Sequence, residues 1–172
     1  MKVYDGTSET SAEPQQQRLK VGIAEYEVTT AGADLTTSGL GSCLGIAMYD
    51  ETAGVAGLVH IMLPSAAEVD DSNEAKFADT GIELLIDEME QVGASTRRIE
   101  AKVAGGSDML DFSENGSGIG VRNIEQVEET LSDLDIPIVS QDVGGDHGRS
   151  LKLDGSTGDL TVKSANKGSQ VI

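Results

Sequence analysis

The chain has 172 residues and carries 30 Asp and Glu against 12 Lys and Arg, a formal net charge of −18. That length suits one domain around one core, the single cysteine excludes an intramolecular disulfide, and so negative a chain, with no basic stripe along its sequence, speaks against nucleic-acid binding. No apolar run is long enough to cross a membrane, and the first twenty residues lack the apolar centre of a secretory signal, so a cytoplasmic protein is expected. The charged fraction, 24%, is ordinary. The anomaly is one of sign, and it suits a salt-rich cytosol, where the Debye length falls to about 3 Å at 1 M and self-repulsion is screened.

In chain order, residues 1–18 are polar and read as a flexible tail, 19–164 as a single folded domain, and 165–172 as a loose C-terminal tail. VGIAEYEVTT reads as a β-branched strand and ADLTT as a shorter one. CLGIAMYD and AGVAGLVHIML are apolar runs joined by DETAG, the signature of a hairpin. SAAEVDDSN loops out, and its acidic cluster lacks the ligand spacing of a calcium loop. Phe77, Ile82, Leu85, Met89 and Val92 then recur at helical spacing, with Gly93 as the stop. RRIEAKVAGG is a strand ending on paired glycines, SDMLDFSENGSG a loop, and GVRNIEQVEETLSDL a second amphipathic helix with Ile124, Val127, Leu131 and Leu134 on one face. IPIVSQDVGG, SLKLDG and DLTVKS close the chain as strands, the last two a hairpin about DGSTG. Strands in hairpins with two helices in the second half give an α+β domain whose helices cover one face of a mixed sheet.

The one thiol, Cys43, follows Gly39, Gly41 and Ser42 and precedes an apolar run. Glycines permit a tight turn and expose successive amides, which form a small anion-binding concavity. An acyl-transfer nucleophile needs such amides where charge develops on the carbonyl oxygen. Of two histidines, His60 lies near the end of the strand that pairs with the strand Cys43 begins, so a hairpin can set thiol beside imidazole. A third group must fix the imidazole tautomer, and Thr37, Ser38 and Ser42 carry hydroxyls nearby. The plainer alternative is a buried apolar cysteine and a structural histidine. One Cys and two His at these spacings make no credible zinc site.

TTSGLGSCLGIAMYD, GLVHIMLP, AKVAGGSDM, IGVRNIEQVEETL and IPIVSQDVGGDHGRSLKLDGSTGDLTVK, in that order, resemble the CheD family of chemoreceptor glutamine deamidases over about residues 20–163. The resemblance implies a protein-glutamine glutaminase that hydrolyses selected glutamine side chains of methyl-accepting chemotaxis receptors to glutamate and ammonia, without a cofactor or metal. It implies Cys43 as nucleophile, His60 as general base and acid, and Thr37 as the orienting group. It implies a three-layer α/β/β sandwich with mixed, largely antiparallel sheets and two main helices. It also implies a regulatory partner, the CheC phosphatase, and no direct membrane insertion. Amides near Gly41, Ser42 and Cys43 are the oxyanion candidates. The family carries a segment like AGGSDM close to its active site, making Gly105 and Gly106 candidate substrate contacts; read alone, those glycines are a tight turn. VRNI, with Arg122 and Asn123, reads as a cap or tie between helix and sheet, and His147 in DVGGDHGR is the lesser candidate for the base. Two other functions are compatible with the chain: a non-catalytic adaptor for the phosphatase, and a thiol amidase acting on small molecules.

Overall fold

A computed structural model describes residues 17–68, 71–108, 118–165 and 167–172. Its strands are β1 (Arg18–Lys20), β2 (Tyr26–Thr29), β3 (Asp34–Leu40), β4 (Leu44–Asp50), β5 (Val55–Ile61), β6 (Glu100–Gly105), β7 (Ile138–Val143), β8 (Arg149–Asp154), β9 (Leu160–Ser164) and β10 (Gly168–Val171). Two helices, α1 (Ala78–Gln91) and α2 (Ile119–Asp133), flank β6 in the chain. The strands form two five-stranded sheets, a central one in the order β2-β5-β4-β6-β7 and an outer one in the order β10-β9-β8-β3-β1. Each sheet has one parallel pair, β6·β7 and β1·β3, and is otherwise antiparallel.

Burial patterns assign the layers. All seven residues of β5 are buried, and six of seven in β4. Strands covered on both faces read as continuous apolar runs, which is why this hairpin stands out in the sequence. One face of the central sheet, through Leu44, Ile46, Val59, Ile61 and Val103, packs on Ile82, Leu85, Met89, Val127 and Leu131 of the helices. The other face, through Ala47, Leu58 and Ala104, packs on Leu35, Leu151, Leu153, Leu160 and Val162 of the outer sheet. In β8 and β9 buried and accessible residues alternate, because the far face of the outer sheet meets water. The result is a three-layer α/β/β sandwich. Each fully buried Leu or Ile contributes about 1.5–3 kcal/mol, so both interfaces are needed for a stable fold.

Four details depart from the sequence reading. VGIAEYEVTT is strand only from Tyr26; before it Glu25 N–H bonds to the Gly22 carbonyl (3.1 Å), and Ala24 sits at φ 61°. ADLTT extends to Leu40. Val92, placed on the apolar helix face, is 48% exposed past the end of α1. Gly168–Val171, expected as a loose tail, pairs antiparallel with β9. Residues 1–16 of the expected N-terminal tail and 109–117 of the loop after Gly106 lie outside the described residues.

Candidate active site

Thr37 and His60 come from different sheets and meet between them. Thr37 Oγ1 lies 2.7 Å from the Val21 carbonyl and 2.8 Å from His60 Nδ1. A carbonyl cannot donate, so the one hydroxyl proton goes to Val21. The second bond must then run from Nδ1–H to Oγ1. That fixes the neutral tautomer and leaves Nε2 bare, and Nε2 is buried without a partner among the described residues. Both residues are sealed from water, Thr37 at 3% and His60 at 0% exposure.

The sheets are keyed together at this spot. His60 pairs with Gly45 across β4·β5, and Thr37 pairs with Leu151 across β3·β8. A β-carbon on Gly45 would collide with Leu151 Cδ1. The missing side chain opposite His60 therefore admits Leu151, while the residue beside Leu151 reaches His60. The main chain of His60 turns away from Gly45: its N–H donates to Glu25 O (3.1 Å) and its carbonyl accepts from Ala24 N–H (2.9 Å). Gly45·His60 is thus a non-hydrogen-bonded pair, the kind that brings opposite residues closest.

Cys43 lies two residues before Gly45 and packs against the core between the sheets, so it shares the face of His60. It is their diagonal neighbour, at a separation of about 7–8 Å that side chains bridge. The segment before it is pinned by its carbonyls. Gly41 O accepts from Ser107 N–H (2.8 Å) and Cys43 O from Gly106 N–H (2.9 Å). Ser42 O accepts from Asn123 Nδ2 at 2.9 Å. With the three carbonyls held, the N–H groups of Ser42 and Cys43 make no backbone hydrogen bond among the described residues. Free main-chain N–H groups are the kind of donor that can stabilise an oxyanion. Gly105 and Gly106 sit against main chain and helix: Gly105 (φ 117°) has no room for a β-carbon against the Cys43 carbonyl, and Gly106 (φ 72°) none against Ile124 of α2.

Burial pushes the Cys43 thiol above its ordinary range and holds His60 down to about 4. Both changes favour the uncharged forms, thiol and neutral imidazole. His147 is buried but lies beside Gly145 and Arg149, and neither ring nitrogen has a hydrogen-bond partner among the described residues.

Asn123 was read as a tie between helix and sheet, and it is one, but it also serves this site. Its amide nitrogen donates to Ser42 O and to Met62 O (3.0 Å), one residue before Cys43 and two after His60. One side chain on α2 thereby spans the starts of both sides of the Cys–His pair. The sequence signal was a polar residue at helical spacing from Val127 and Thr130, on the face that α2 buries.

The family model for CheD chemotactic sensory transduction matches residues 62–164. A Haloarcula marismortui protein named a probable chemoreceptor glutamine deamidase CheD is 64% identical over 167 residues, covering 96% of each chain. A Natronomonas pharaonis protein of the same name is 50% identical over 147 residues, 85% of this chain and 87% of that one. The chemoreceptor glutamine deamidase CheD of Halalkalibacterium halodurans is 40% identical over 158 residues, 90% of this chain and 98% of that one. Among solved structures, a Neisseria meningitidis protein of the DUF152 family model superposes with a TM-score of 0.52 at 10% identity, over 76% of this chain and 65% of that one, a likeness of fold alone. Sequence motifs, layer order and relatives agree, and the chain belongs to the CheD family.

Proposed function

We propose that this chain is a cytoplasmic protein-glutamine deamidase acting on chemoreceptors, with Cys43 as nucleophile, His60 as base and acid, and Thr37 as the orienting group. The observation that carries this reading is the Thr37–His60 hydrogen bond, which presents a bare Nε2 on the face that Cys43 shares. The names of the relatives supply the substrate class.

The resting pair is neutral, so the thiol proton passes to His60 Nε2 as sulfur attacks the side-chain amide carbon. The carbonyl π-electrons move to oxygen, and the Ser42 and Cys43 N–H groups stabilise that charge. His60 returns the proton to the amide nitrogen, the C–N bond breaks, and ammonia leaves a thioester on Cys43. His60 then takes a proton from water as hydroxide adds to the thioester carbon. Collapse breaks the C–S bond, His60 returns its proton to sulfur, and the product acid loses its proton to water to become glutamate. The likeness to the family extends the reading to CheC as a regulatory partner.

The test is mass spectrometry of a receptor cytoplasmic fragment after incubation, in high salt, with wild type and with Cys43→Ala. Glutamine-to-glutamate conversion by wild type alone is expected. Equal conversion by a folded Cys43→Ala protein rules out the thiol mechanism. No conversion by either, with CheC binding retained, favours the adaptor.

A further inference from the structure

The outer face of the outer sheet is basic on an otherwise acidic molecule. Arg18, Lys20, Lys152 and Lys163, four of the chain's 12 Lys and Arg, are exposed there around a shallow depression of about 390 Å³. Strand register explains the gathering. Lys20 lies beside Thr36, Thr36 beside Lys152, and Lys152 beside Thr161. One step along, Ser150 lies beside Lys163 and Lys163 beside Ser169. The depression is lined by these cations, by hydroxyls and by Leu151, with no carboxylate. The face's two carboxylates, Asp34 and Asp154, oppose each other at the end away from Ser38. Lys20, Lys152 and Lys163 have no ion-pair partner among the described residues, while Arg18 lies beside Asp34 in the β1·β3 register.

The opposite layer has the reverse sign. α1 carries Asp79, Glu83, Asp87, Glu88 and Glu90 with no cation, and α2 carries Glu125, Glu128, Glu129 and Asp133 against Arg122. The sandwich therefore has an acidic helical side and a basic sheet side. Such a field orients an approaching anionic partner toward one face.

We infer that this basic face is the docking surface for a carboxylate-rich segment of the protein substrate. The inference rests on the deamidase reading for the identity of that substrate, and on charge complementarity for its chemistry. Ser38 on this face follows Thr37 directly, and the same strand leads into the Gly39–Cys43 turn. A segment held here lies along the strand that feeds the nucleophile. Each turnover replaces a neutral amide by a carboxylate, so the region being modified becomes more complementary to the face as it reacts. In concentrated salt only short-range contacts survive screening, and lysines interleaved with hydroxyls offer contacts of that kind.

The experiment compares wild type with the Lys152→Glu, Lys163→Glu double variant and with its Lys→Arg counterpart. Fluorescence anisotropy reads binding of a glutamate-rich helical peptide, independently of deamidation, and kinetics are run on a receptor cytoplasmic fragment. The reversal variant is expected to bind the peptide about tenfold more weakly and to show a KM raised by about the same factor with kcat unchanged, while the arginine variant matches wild type. Equal peptide binding by wild type and the reversal variant overturns the inference even if wild type deamidates receptor. Wild-type binding to phosphatidylglycerol vesicles but not to peptide also overturns it, as does a reversal that abolishes only self-association seen by sedimentation. Peptide binding lost in the variant, with no receptor deamidation by wild type, keeps the surface and removes the deamidase reading.

Discussion

Thr37→Val separates an orienting hydroxyl from a space-filling side chain. Valine keeps the shape and removes the oxygen that accepts from His60 Nδ1 at 2.8 Å and donates to Val21 O at 2.7 Å. Two buried groups, an N–H and a carbonyl, then lack partners. Each stranded group costs about 1–3 kcal/mol, so a stability loss of roughly 2–6 kcal/mol is expected. The catalytic effect is distinct. Without the acceptor the ring is free to place its proton on Nε2 or rotate, and the thiol loses its base. General-base contributions of about 10²–10⁴-fold set the scale of the fall in kcat. KM on a receptor fragment should barely move, because Thr37 is sealed from solvent. Ammonia release at saturating substrate gives kcat, thermal unfolding gives the stability change, and ¹⁵N chemical shifts of His60 give the tautomer. Thr37→Ser should restore the tautomer and most of the rate. A Thr37→Val protein that is folded and turns over at the wild-type rate refutes the orienting role.

The acid limb of kcat/KM should fall near pH 4, where His60 gains its proton, and an apparent pKa near 6.5 would contradict the buried base. The same group gives a stability dependence with a fixed sign. Its folded pKa of about 4 lies below the ordinary 6.5, so the unfolded chain binds the proton first. Its contribution is complete above pH 6.5 and lost as pH drops toward 4, by roughly 3 kcal/mol at most; urea unfolding of wild type against His60→Gln isolates it. Asn123→Ala should lower kcat about 10–100-fold and stability by about 2 kcal/mol through release of Ser42 O and Met62 O, and Asn123→Asp should be worse, since a carboxylate would face two carbonyls. An unchanged kcat in both excludes Asn123 as a positioning residue. Dilution into low salt should cause cooperative unfolding by circular dichroism because of the charge of −18, and stability independent of salt would remove the salt-adaptation argument.

The central hairpin was legible because β4 and β5 are buried on both faces, so apolar runs and turn chemistry coincide with the element ends. The helices were legible through the spacing of Ile82, Leu85 and Met89 and of Val127 and Leu131, all of which are buried. β1 and β10 were missed. Both are edge strands of three and four residues in polar sequence, and their pairing is decided by the partner strand, not by their own composition. The layer order came from the family likeness, since periodicity shows which residues are buried but not against what. For the site, a hairpin could be seen to bring the Cys43 and His60 ends together, but its register, with Gly45 opposite His60, could not be read from the sequence. Thr37 was one of three hydroxyls close in sequence, and nothing local distinguishes it from Ser38, which points outward on the same strand. The basic face was illegible for a simple reason. Its cations come from β1, β8 and β9, spaced far apart along a chain that is acidic nearly everywhere else.

The division of labour between sheets explains why the site lies where it does. The central sheet carries the proposed nucleophile just before β4 and the proposed base on β5, and the hydrogen bonds between these strands fix their separation along the ladder. The Thr37 hydroxyl that meets His60 comes from the other sheet, and apolar packing between sheets is not directional enough by itself to hold a 2.8 Å hydrogen bond. The Gly45–Leu151 contact supplies the missing registration. A leucine entering the gap opposite His60 fixes where the outer sheet can sit, and Thr37, its cross-strand neighbour, is placed by the same act. Sliding either sheet along its strands drives Leu151 into a side chain or opens a void, each at a cost of a few kcal/mol. The tautomer of His60 is thus fixed by a steric key one residue away, and the chemistry of the site inherits its precision from the packing of the core.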